Sequence, residues 1–136
     1  MKKRILILVY AVILLFSINL YAQTDKLPLL KFDDLQKYDG KHQTFQIEGF
    51  VLNTHKCGKC PPKAWCKPCE NGLTAVDQIN DKDSSLMKQL RIATANFLPE
   101  KFLLKKKYLF TVKLRNIIAE GSPITSVELI GFKKIE

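Results

Sequence analysis

All four cysteines of this 136-residue chain fall within one short run, Cys57-Gly-Lys-Cys60-Pro-Pro-Lys-Ala-Trp-Cys66-Lys-Pro-Cys69. The spacing C-x2-C-x5-C-x2-C is too dense for four unrelated buried thiols, and three chemistries could use it. Two disulfides are the leading expectation, since an even cysteine count in a loop suits an oxidising compartment. Four cysteines allow three pairings, and spacing does not choose among them. Four thiolates on a metal are the alternative, with zinc suited to paired C-x2-C knuckles and Cu(I) to soft sulfur. Zinc ribbons usually separate such knuckles by about 15–20 residues, whereas this chain must reverse within five, two of them prolines. The spacing also differs from that of iron–sulfur ligation. Thiol–disulfide exchange comes third. It needs a C-x-x-C at a helix start to lower the thiol pKa, and Pro61 and Pro68 argue against a helix.

Other residues with chemical potential are few. His55 precedes Cys57 by two and could add a metal ligand, although an exposed loop histidine is the simpler reading. His42 sits in a polar turn, and with only two histidines no Ser-His-Asp arrangement is visible. Asp33-Asp34 and Asp81-Lys-Asp83 could pair carboxylates, but turn and cap placement explains them better. Trp65 could stack on a sugar or base. Packing over the cysteines as a miniature core is the favoured reading. If the loop holds a ligand, Lys59, Lys63, Trp65 and Lys67 are the expected contacts. No catalytic constellation is expected, and no cofactor beyond the zinc alternative.

The compartment follows from the other end of the chain. Met1-Lys-Lys-Arg precedes an apolar run from Ile5 to Phe16, and Ser17-Ile-Asn-Leu-Tyr-Ala22 follows. That is the layout of a secretory signal, with cleavage expected after Ala22. A membrane span needs about 20 apolar residues, so no span is expected once the signal is removed. Loss of residues 1–22 leaves 114 of the 136 residues, one domain over 23–136, exported to the periplasm or beyond. The leader takes three of the 22 Lys and Arg and none of the 13 acids, which leaves a charge of +6. Such a charge favours an anionic ligand; another envelope protein is the other expected kind of partner.

Alternating apolar residues outline the elements that must position the cluster. Strands are expected over 43–52, 73–79, 86–96, 108–115 and 124–135, with one short helix opened by Pro99 over 99–105; in 86–96 Leu86 and Leu90 also fit a helix face, and the strand is the favoured reading. A helical turn or two is expected over 31–38, and an extended lead-in before it. Gly49 interrupts its strand and suggests a bulge or bend. The cysteines occupy an insertion, residues 55–72, between the first two strands. An all-β domain of five strands with a helix between the third and fourth matches the five-stranded Greek-key barrel called the OB-fold. Tyr38-Asp-Gly-Lys41 followed by Ile47-Glu-Gly-Phe-Val51 resembles the first strand of many bacterial OB domains. The loop Cys60-Pro-Pro-Lys-Ala-Trp-Cys66-Lys-Pro-Cys69 resembles the Cys/Pro-rich insertion of a family of small exported bacterial proteins whose function is unassigned. Gly58-Lys59 departs from that family's more usual Pro-Pro. The resemblance implies the OB-like fold and no activity.

OB domains bind through strands 2–3 and through the loops joining strands 1–2 and 4–5. The first such loop is the cysteine insertion and the second is 117–123. A non-enzymatic binding or scaffold module is the resulting expectation. Single-stranded nucleic acid is not the expected partner, because outward aromatics for base stacking are lacking on the strands and export separates the two.

Overall fold

The computed structural model describes residues 26–135, so the expected signal over 1–22 lies outside the described residues. Six strands form one mixed sheet: β1 Leu29–Leu30, β2 Thr44–His55, β3 Gly72–Val76, β4 Gln89–Ala93, β5 Lys107–Leu114 and β6 Ser126–Lys134. β2 is long enough to serve two neighbours. Its first half pairs antiparallel with β5, from Thr44 opposite Lys113 to Phe50 opposite Lys107. Its second half pairs antiparallel with β3, ending with His55 opposite Gly72. β3 pairs with β4, and β5 with β6, both antiparallel. β4 lies parallel to β6, and the short β1 lies parallel to β2.

Strand parity builds the core. Phe45, Ile47 and Val51 of β2 point inward, as do Leu73 and Ala75 of β3 and Leu90 and Ile92 of β4. Tyr108, Phe110 and Val112 of β5 and Val127 and Leu129 of β6 complete it. Each buried Val, Leu, Ile or Phe among them contributes roughly 1.5–3 kcal/mol of hydrophobic stabilisation. Phe102, Tyr108, Phe110 and Phe132 form an aromatic group, the Phe102 and Phe132 centroids lying 4.6 Å apart. Leu35 and Tyr38 close another side of the core from the segment around the 3-10 turn Asp34–Gln36. Two of the acids flagged from sequence serve in turns, Asp34 in the first turn of its 3-10 segment and Asp83 as the N-cap of another. Asp34 Oδ2 accepts the Lys31 N–H at 2.7 Å, and Asp83 Oδ1 accepts the Ser85 N–H at 2.9 Å.

Five sequence expectations change. The helix over 99–105 is a single 3-10 turn, Pro99–Lys101. Phe102 returns to extended backbone so that its ring can enter the core, and the Lys105 N–H is taken by the Val51 carbonyl at 2.7 Å. The second strand stops at Val76 rather than residue 79, because the Asp77 carboxylate turns the chain by accepting the N–H groups of Gln78 and Lys88. The third spans only Gln89–Ala93, after a 3-10 turn at Ser84–Leu86. The bulge falls at Leu52, between Val51 and Asn53, and Gly49 pairs regularly with Tyr108. Gly49 answers a different need: a Cβ there would stand 3.1 Å from both the Phe32 ring and the Val76 carbonyl oxygen. The lead-in supplies a sixth strand, β1, where five are expected from the sequence: Leu29 and Leu30 pair with Gln46 and Ile47, and the Gln46 N–H donates to the Pro28 carbonyl at 2.8 Å.

Candidate functional site

β2 leaves the sheet at His55 and β3 re-enters at Gly72, so the cysteines lie on a loop whose two ends are held side by side. Cys57 bonds to Cys69 across the base of the loop, with Cα atoms 5.8 Å apart. Cys60 bonds to Cys66 inside it, with Cα atoms 6.0 Å apart. Of the three pairings the sequence left open, the nested one is present. Disulfide sulfur offers no thiolate, so in this form the four cysteines are not a metal-ligand set. Between the inner pair the chain reverses at Pro61, whose carbonyl accepts the Ala64 N–H at 3.2 Å, with Lys63 in the left-handed region at φ 66°.

The base of the loop is tied to the body by polar contacts. The Cys57 N–H donates to Asn71 Oδ1 at 2.7 Å, and the Asn71 carbonyl accepts the Thr94 N–H at 3.0 Å. Glu70 Oε2 pairs with Arg115 Nη1 at 2.6 Å, beyond the end of β5. Lys56 pairs with Glu100, and that ion pair holds the Glu100 carboxyl below the usual carboxylate range.

Trp65 overturns one expectation. It is 86% exposed and does not cover the disulfides. The Cys60–Cys66 bond closes the inner loop without a hydrophobic cap, which leaves the indole free on the outside. Lys59, Lys63 and Lys67 are exposed on the same loop. His55 is exposed too, as expected, but its Nε2 lies 3.2 Å from Cys69 Sγ and 3.9 Å from Cys57 Sγ.

Beside the loop base runs a groove of about 780 Å³. Its floor is a cross-strand row: Asn53 of β2 opposes Thr74 of β3, Thr74 opposes Arg91 of β4, and Arg91 opposes Ser126 of β6. All four line the groove. The adjacent row runs from His55 through Gly72 to Ala93, and these two small residues hollow the surface between His55 and the loop base. Gly72 cannot be larger without a shift of the backbone, because its Cβ would stand 2.8 Å from the Ile92 carbonyl oxygen. Arg91 and Arg115 bring positive charge, and Glu70 answers one of them.

The structure therefore brings Cys57, Cys69 and His55 together at the loop base, and of these three His55 lines the groove. Lys59, Lys63, Trp65 and Lys67 project from the loop outside the groove lining. None of the floor residues is marked as a site by the sequence: Arg91 reads as outward on its strand, and Asn53 falls beyond the expected strand 43–52. Outward polar residues on a strand read as a solvated face until pairing aligns them. Ile117, in the second expected binding loop, is fully exposed, and Thr125 and Ser126 carry the end of that connection to the groove.

Comparison of the chain with protein-family models, curated proteins and solved structures found no match. Among the described residues no helix is long and apolar enough to cross a membrane.

Proposed function

We propose that this is an exported, non-enzymatic binding module on an OB-like barrel, which takes an anionic glycan in the groove beside its disulfide-braced loop. The cross-strand row Asn53, Thr74, Arg91 and Ser126 carries the reading. It sets four hydrogen-bonding side chains on rigid strands, one of them a guanidinium that matches carboxylate or phosphate geometry. The barrel reading is supported by the circuit of pairings from β2 through β3, β4, β6 and β5 back to β2, which gives each strand two neighbours. Counted within that circuit, β3 and β4 are strands 2 and 3, the usual binding face of an OB domain. The cysteine loop joins strands 1 and 2 and the segment after β5 joins strands 4 and 5, the other two parts of that surface.

Trp65 suits a glycan, since an indole can stack on a sugar face, and the loop lysines attract its charges. Two disulfides support an oxidising compartment, and with it export. Intact mass of the secreted protein tests this part. The expected result is a start at Gln23 and a denatured mass four hydrogens below the reduced value, for two disulfides.

Calorimetric titration with polygalacturonate oligomers tests the ligand class. Binding is expected to weaken at least about tenfold in Arg91→Ala and to fall as salt rises. Neutral dextran is expected not to bind. Unchanged affinity in Arg91→Ala, or equal affinity for single-stranded DNA, would remove the glycan reading.

A further inference from the structure

We infer that reduction of Cys57–Cys69 turns the loop base into a three-ligand site for Zn²⁺, formed by His55, Cys57 and Cys69. The three donor atoms already lie within 4.8 Å of one another. At Zn–S about 2.3 Å and Zn–N about 2.0 Å, tetrahedral angles place nitrogen and sulfur about 3.5 Å apart. The observed separations from His55 Nε2, 3.2 Å to Cys69 and 3.9 Å to Cys57, bracket that value. The two sulfurs, joined in the disulfide, must stand about 3.8 Å apart to share one ion. Cys69 is exposed and Cys57 half-exposed, so solvent rather than packed neighbours surrounds much of the two side chains that must turn.

Contacts other than the disulfide also hold the backbones that carry these ligands. His55 is held in the sheet opposite Gly72, and the Cys57 N–H is bound by Asn71. Cys69 precedes Glu70, which is paired with Arg115. The inner pair, Cys60 and Cys66, is not part of the cluster. Three protein ligands leave a fourth position for water or a ligand atom, as in zinc sites that act on bound molecules. His55 lines the groove, so the ion would stand at its rim.

The reaction balances with a dithiol as reductant. The dithiol gives two electrons and two protons, the Cys57–Cys69 bond breaks, two thiols form and the donor becomes a disulfide. Zn²⁺ then displaces both protons. Under oxidising conditions the site is closed by its own S–S bond, and under reducing conditions it opens.

The test uses Cys60→Ser/Cys66→Ser, which keeps only the outer pair. The variant is reduced with dithiothreitol, freed of it by anaerobic gel filtration, and titrated with Zn²⁺ against a chromophoric chelator. The expected result is one ion per chain, at least about 100-fold tighter than in the oxidised variant, with His55→Ala weakening it about tenfold or more. Equal affinity in the oxidised and reduced forms, or no effect of His55→Ala, would overturn the inference. If the double variant does not fold, reduced wild-type protein and reduced His55→Ala give the same comparison. Reduced Cys57→Ser/Cys69→Ser is expected to bind no ion tightly, and tight binding there would place the site at Cys60 and Cys66 instead.

Discussion

A Cβ at Gly49 would meet the Phe32 ring on one side and the Val76 carbonyl on the other, both at 3.1 Å. The carbonyl belongs to a paired strand and cannot give way cheaply. Gly49→Ala is therefore expected to destabilise the protein by about 1–3 kcal/mol, read as a lower urea midpoint at unchanged slope. Trp65→Ala is the contrasting case. With the indole 86% exposed, its loss should change stability by no more than about 0.5 kcal/mol. The two residues show what sequence discloses at this scale. Gly49 was visible as a break in strand parity, but the ring it accommodates comes from Phe32, in a separate segment. Trp65 was visible as an aromatic among cysteines, and whether it packed depended on the disulfide pairing.

Among the elements, the loop and its two disulfides are separable from the hydrophobic core of the sheet. None of the four cysteines belongs to the hydrophobic cluster. The outer bond closes a sequence separation of 12 and the inner one a separation of 6. In the chain-entropy model these constrain the unfolded chain by roughly 3 and roughly 2 kcal/mol. Cys57→Ser/Cys69→Ser should therefore cost more than Cys60→Ser/Cys66→Ser in chemical denaturation, and both variants should still fold. The Pro99 segment makes the complementary point. Pro99-Glu-Lys-Phe-Leu-Leu-Lys105 has helical composition, yet only one 3-10 turn forms. A longer helix would swing Phe102 away from Tyr108, Phe110 and Phe132, and those aromatic contacts outweigh a few helical hydrogen bonds.

For the molecule as a whole, Lys56–Glu100 is a surface tether between the loop base and the turn before β5. Glu100 titrates below its ordinary value of 4.5, because the Lys56 ammonium hydrogen-bonds its carboxylate. A lowered native value means that the contribution is present above the ordinary value and is lost as pH falls through the native one. The stability difference between wild type and Glu100→Gln should thus be constant above pH 4.5 and shrink as the pH drops further. Denaturation at a series of pH values in low salt checks this, and the effect should be small because both groups are exposed.

What the amino-acid sequence determined by itself was local. Alternation marked Phe45, Ile47, Tyr108, Phe110 and Val112 as inward residues, and the dense cysteines marked a loop rather than a strand or helix. Those features arise from the two-residue period of a strand and from chain stiffness at proline, which act over a few residues. Tertiary structure decided which strands pair, that the disulfides nest, that His55 meets Cys69, and that Asn53, Thr74, Arg91 and Ser126 form one row. Each of these joins residues far apart in the chain. Register between strands is set by the whole core closing at once, and no short stretch of sequence contains that information.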